Sequence, residues 1–189
     1  MGLFGKSKKR FIPDFTIPEH ENWLNYLNYG GTSQEWERLK RTNKWIFPES
    51  ETERFEKYQK EVSAISQAYF KRMNEIQKSW SAISSGGDYT GELAHKLEKI
   101  CLLNVAEYEK ISIIDKKYDQ KTPTNIPALK RLAMLYEKQG RFEEAIEICK
   151  KACSFGMDEC SRMTRMIKKA GRTPTLEEEK LLLQYSLRG

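Results

Sequence analysis

The chain has few of the groups that catalysis near neutral pH usually requires. Its 189 residues include only two histidines, His20 and His95, in separate segments. Histidine is the side chain whose ordinary pKa allows proton transfer near pH 7. The sequence also lacks a phosphate-binding glycine loop, a serine elbow and an HExxH motif. We therefore expect that the protein is not an enzyme and that it needs no cofactor.

Long apolar runs are missing as well. No stretch approaches the roughly 18–20 consecutive apolar residues that span a bilayer, and no signal-peptide core is present. Hydrophobic residues make up 39% of the chain and charged residues 32%, and the mean hydropathy is −0.73. These values predict a cytoplasmic protein without a transmembrane segment, built from amphipathic helices covered in charged residues.

The cysteines do not form a recognisable metal-binding motif. Cys149 and Cys153 are four residues apart, which puts them on one face of a helix, and with Cys160 they could form part of a metal site. Structural zinc sites, however, use short CxxC pairs with nearby cysteine or histidine partners, which this sequence lacks. We predict no metal site, and free thiols in a reducing compartment.

Positive charge is concentrated near the N-terminus. Four of the six net positive charges come from a cluster within the first ten residues: Lys6, Lys8, Lys9 and Arg10. Pro13 and Pro18 both disfavour helix in the residue that precedes them. We predict that residues 1–17 form a basic, extended tail. A folded nucleic-acid-binding protein usually carries such charge on its body instead.

Capping signals predict short helices in the aromatic-rich segment 18–47. Pro18 suits the first turn of a helix, and Gly30 with Gly31 ends it. Thr32 with Glu35 then forms a capping box for a second helix.

Residues 48–120 are predicted to form a long helical hairpin. A capping box of Ser50 and Glu53 begins its first helix. The apolar seam of that helix recurs at steps of three and four residues: Phe55, Tyr58, Val62, Ile65, Tyr69, Met73, Ile76, Trp80 and Ile83. A second seam runs over residues 93–118, after a glycine-containing turn. Two long seams joined by a short loop should pack antiparallel.

The segment 126–158 carries the most informative pattern. Ala133 and Ala145 are small enough to let two helices approach closely, and Gly140 suits the turn between them. The order of its small and apolar residues resembles the tetratricopeptide repeat, a helix–turn–helix unit of about 34 residues. The resemblance depends on Leu129, Leu132, Ala133, Tyr136, Gly140, Ala145, Cys149 and Ala152.

One such repeat cannot bury its own apolar faces, so neighbouring helices must stack on it. The hairpin supplies such helices before the repeat. After it, we predict another helix pair over residues 161–170 and 175–187, which is either a degenerate repeat or a C-terminal cap. The second helix of this pair begins at a capping box of Thr175 and Glu178. We therefore expect an all-α fold, in which the long hairpin is followed by repeat-like helix pairs over residues 121–189.

The resemblance implies an intracellular adaptor that binds a protein or peptide partner. In the family, the first helix of each repeat supplies most of the concave face. Matching positions place four residues there in this chain: Lys130, Met134, Glu137 and Lys138. These four residues are explained equally well as solvated surface.

A different hypothesis is binding of nucleic acid or an anionic surface through the basic tail and a basic stripe. The stripe residues are spaced by three and four positions, which predicts one helix face: Arg162, Arg165, Lys169 and Arg172. No aromatic residue lies among them to stack on bases, which disfavours readout of single strands. Self-association through the long hairpin is a third possibility.

Overall fold

The computed structural model describes residues 11–186, and within that range the chain forms eight α-helices and no strand. The helices are α1 (Glu19–Asn28), α2 (Ser33–Asn43), α3 (Glu51–Gly86), α4 (Glu92–Lys117), α5 (Pro127–Lys138), α6 (Phe142–Ser154), α7 (Cys160–Lys169) and α8 (Leu176–Ser186). The predicted all-α class is confirmed. The chain divides into two compact units, Met1–Lys57 and Tyr58–Gly189. The basic cluster at residues 6–10 lies outside the described residues.

The first unit is organised around a buried tryptophan. The rings of Tyr26, Trp45 and Phe47 surround Trp36 at centroid distances between 5.4 and 5.7 Å. The predicted capping box at the start of α2 is present, because Thr32 accepts from the Glu35 amide and the Glu35 carboxylate accepts from the Thr32 amide. Aromatic packing thus joins the two short helices, and the cap stabilises the first turn of α2.

The second unit begins within α3, which forms a long antiparallel hairpin with α4. The Tyr58 hydroxyl donates to Asp115 at 2.9 Å, near the start of α3 and the end of α4. Further along, the Asn104 amide donates to the carbonyl of Tyr69 at 2.8 Å. The apolar seams lie between the helices, and their buried members include Val62, Ile76, Trp80, Leu97, Cys101, Val105 and Ile111. The alternating steps of three and four residues therefore predict the hairpin correctly.

The hairpin and the four helices after it share one hydrophobic core. Helix α5 packs against α4 on one side and α6 on the other, and α6 packs against α7. Ala133 and Ala145 are almost completely buried. Gly140 makes the turn between α5 and α6 at φ +73°, a conformation that favours glycine. Successive helix pairs thus stack side by side, as a repeat architecture requires.

Candidate partner-binding surface

Three of the predicted groove residues form a stripe along α5. Lys130, Met134 and Lys138 lie four residues apart, with both lysines exposed and Met134 half-buried. The stripe points outward because the opposite side of α5 enters the core, where Leu129 and Leu132 are fully buried. Among residues 11–186, no carboxylate pairs with either lysine. We call these three residues the α5 stripe; it presents two positive charges around an apolar thioether.

Aromatic side chains of the hairpin border the α5 stripe. The Lys138 ammonium lies 5.4 Å from the ring centroid of Tyr89, and the Arg131 guanidinium lies 5.0 Å from that of Trp80. Arg131 also donates to the Gln77 side chain of α3 at 3.1 Å. Partial burial lowers the pKa of Arg131 without a carboxylate to oppose the shift. Arg131 is thus a third cation beside the stripe, one that the sequence reasoning missed because its neighbours lie about 50 positions away.

Glu137, the fourth predicted groove residue, lies at the centre of an ion-pair cluster instead. Its carboxylate lies 3.0 Å from Arg162, 2.9 Å from Arg165 and 2.9 Å from Lys169. The hydrogen bonds from Arg165, foremost, and from Lys169 outweigh burial and lower the pKa of Glu137 to about 2. Only 14% of the Glu137 side chain is exposed. Glu137 therefore joins α5 to α7, and its charge is already neutralised by three cations.

Each member of the predicted basic stripe has a carboxylate partner. Besides the three cations on Glu137, Arg172 contacts Glu143 of α6 and Glu178 of α8, both at 2.8 Å. The Glu178 side chain is only 2% exposed, and the hydrogen bonds from Arg172 lower its pKa to about 2. An anion that binds these cations would have to compete with carboxylates that are already in place.

The prediction that Arg172 shares a helix face with the other three cations was wrong. Helix α7 ends at Lys169, and Gly171, two residues later, adopts φ +71°. A spacing of three residues places two side chains on one face only within a continuous helix, and α7 ends before Arg172. Arg172 instead connects α6 to α8, beside the capping box of Thr175 and Glu178 that the sequence correctly predicts.

The two surfaces that the sequence treats as separate therefore meet at Glu137. The α5 stripe keeps unpaired positive charge, whereas Arg162, Arg165 and Lys169 of α7 all contact the Glu137 carboxylate. Within residues 11–186, no group of three histidine, cysteine or acidic side chains is arranged to hold a metal ion. In the same range, no helix combines the length and apolar character needed to cross a membrane.

Comparison with known proteins supports the interpretation of α5 and α6. A family model described as tetratricopeptide repeat matches residues 126–155, which cover α5, the turn at Gly140 and α6. No curated protein matches the chain, and no solved structure matches it. The chain therefore contains one clear tetratricopeptide repeat, and the other helices of the second unit pack around it.

Proposed function

We propose that this protein is a non-catalytic, cytoplasmic adaptor that binds a segment of a protein partner across the α5 stripe. Tetratricopeptide repeats are in general scaffolds for protein–protein interaction, and the chain contains one such repeat.

The observation that carries the proposal is the unequal neutralisation of charge on α5. Lys130 and Lys138 are exposed and have no carboxylate partner among the described residues, whereas Glu137, on the same helix, is neutralised by α7. The exposed face of α5 therefore attracts negative charge. Met134 between the lysines offers a flexible apolar contact, which accommodates side chains of varied shape.

These features define a class of ligand. A segment with an acidic residue beside an apolar anchor would place its carboxylate near a lysine and its anchor on Met134. Because exposed charges mainly steer the encounter, we expect moderate affinity that falls as salt rises.

The test is a panel of short fluorescent peptides in which acidic residues flank a leucine or phenylalanine. We expect the double variant Lys130→Glu, Lys138→Glu to weaken binding roughly tenfold, since two attractions become repulsions. The matched control, Lys96→Glu with Lys110→Glu, reverses the charge of two exposed lysines of α4. It changes the net charge equally but leaves α5 untouched, so binding should persist.

Circular dichroism establishes that both double variants are folded. Equal loss of binding in the two would mean that net charge, rather than the α5 stripe, attracts the peptide. Undiminished binding in the α5 variant would exclude the stripe as the binding surface.

A further inference from the structure

Two free thiols face each other where α6 leads into α7. Cys153 lies in the last turn of α6, Cys160 is the first residue of α7, and their Sγ atoms are 3.9 Å apart. One thiol donates a weak hydrogen bond to the other. The other two cysteines, Cys101 and Cys149, are completely buried. The pair is thus the only thiol–thiol contact among the described residues.

We propose that Cys153 and Cys160 form a reversible disulfide when the protein meets a peroxide. A disulfide has an S–S distance of about 2.05 Å, so the two sulfurs must approach by roughly 2 Å. Cys160 directly follows the short turn at 155–159 and Cys153 lies two residues before it, so side-chain rotation and a small backbone shift of this turn would supply the movement. The proposal is independent of the α5 stripe.

Exposure sets the order of the two chemical steps. Cys160 is partly exposed, whereas Cys153 is only 5% exposed, so the peroxide reaches Cys160 first. The Cys160 thiolate attacks a peroxide oxygen and the O–O bond breaks, which yields a sulfenic acid and one water. The Cys153 thiolate then attacks the sulfenic sulfur, forming the S–S bond and releasing a second water. Two thiols lose two electrons and two protons, and one hydrogen peroxide is reduced to two waters.

The surroundings of Cys160 make the first step slow at neutral pH. Burial, and after it the neighbouring Cys153, raises the pKa of the Cys160 thiol to about 12. Only the thiolate attacks the peroxide, so the rate follows the small thiolate fraction. We expect the rate of disulfide formation to rise about tenfold per pH unit between pH 7 and 9.

The crosslink would join segments that already contact each other. The Tyr185 hydroxyl of α8 donates to the Cys153 carbonyl at 2.8 Å, so α6, α7 and α8 meet at this junction. A disulfide here closes a short loop and restricts the unfolded chain more than the folded one. We expect oxidation to raise the Tm by roughly 5 °C, and dithiothreitol to reverse the rise.

Mass spectrometry of the full chain tests the proposal directly. The folded protein is treated with hydrogen peroxide, its remaining thiols are alkylated, and it is digested with trypsin. Cleavage after Lys151 and Arg162 leaves both cysteines in one peptide, 152–162. A second cleavage after Glu159 separates Cys153 from Cys160 unless a disulfide joins them. We expect the two halves to remain linked and to separate after reduction.

Two comparisons test whether the disulfide joins Cys153 to Cys160 and whether it depends on the folded structure. Cys160→Ser should abolish it, whereas the matched variant Cys101→Ser should retain it, because Cys101 lies elsewhere in the core. In urea, oxidation should give a mixture that includes pairs with Cys149. Free or separately oxidised cysteines in the folded wild type would overturn the proposal. A disulfide that involves Cys149 in the folded protein would also overturn the proposal. The same mixture of cysteine pairs in folded and urea-treated protein would overturn it as well.

Discussion

The cations of α5 and those of α7 lie in the same compact unit, but their electrostatic surroundings differ. On α7, Arg165 and Lys169 share the Glu137 carboxylate, which holds them in place. On α5, Lys130 and Lys138 have no such partner among the described residues. Basic residues on one face of a helix therefore form a structural cluster on α7 and an available positive surface on α5. Counting basic residues along a helix does not distinguish these outcomes.

The largest expected effect comes from a substitution that disrupts both surfaces together. Ala145 is completely buried where α6 crosses α5. In Ala145→Trp the large side chain forces the helices apart, which we expect to cost about 3 kcal/mol of unfolding free energy. A thermal melt measures the effect, with the exposed substitution Glu147→Trp on the same helix as control. A melt that matches wild type would mean that α5 and α6 do not cross at Ala145.

The second prediction removes the Glu137 carboxylate, which joins α5 to the cations of α7. Glu137→Gln keeps the shape of the side chain but leaves Arg162, which is mostly buried, with less compensation. We expect a loss of about 2 kcal/mol in unfolding free energy, measured by urea denaturation at neutral pH. Glu147→Gln, which removes a mostly exposed carboxylate from an ion pair on α6, should cost less than about 0.5 kcal/mol. Equal costs for the two variants would contradict a structural role for Glu137.

Low pH should reduce the stabilisation that the Glu137 carboxylate provides. The pKa of Glu137 falls from 4.5 to about 2 on folding, so the folded state favours the ionised carboxylate. Its stabilising effect is present above about pH 5 and is lost as pH falls towards 2. The stability gap between wild type and Glu137→Gln should therefore narrow to less than about 1 kcal/mol near pH 2.5. Urea denaturation of both proteins at a series of pH values measures the gap, and a constant gap would contradict this assignment.

The smallest expected effect is a gain of anion binding. In Glu137→Gln the cations of α7 lose a shared partner, so this surface should come to resemble the α5 stripe. We expect the affinity for a short DNA duplex to rise roughly 3-fold at low salt, and we expect this rise to vanish as the salt concentration increases. Fluorescence anisotropy compares the variant with wild type. Strong, salt-dependent binding by wild type itself would instead favour the nucleic-acid hypothesis.

Most of the local architecture could be predicted from the sequence. The capping boxes at Thr32, Ser50 and Thr175 each involve a glutamate three residues further on, and all three form. The apolar steps of three and four residues predicted the hairpin, and the small residues Ala133 and Ala145 predicted the repeat. These features depend on contacts within one helical turn or on regular periodicity, which a single sequence displays directly.

The electrostatic character of the candidate site could not be predicted in the same way. Glu137 meets Arg162, Arg165 and Lys169 across 25 to 32 positions in the sequence. Arg131 meets Trp80 only because the hairpin folds back on the repeat. The position of Arg172 was misjudged because the spacing rule holds only while the helix continues, and α7 ends before it.

The sequence by itself determined the helices, their caps and the presence of one tetratricopeptide repeat, because these depend on neighbours within a few residues. Only the tertiary structure decided which charges are neutralised and which thiols meet. An ion pair or a thiol contact depends on distances of about 3–4 Å between side chains on different helices. Such distances are fixed by the stacking of α5, α6 and α7, and no local pattern in the sequence contains them.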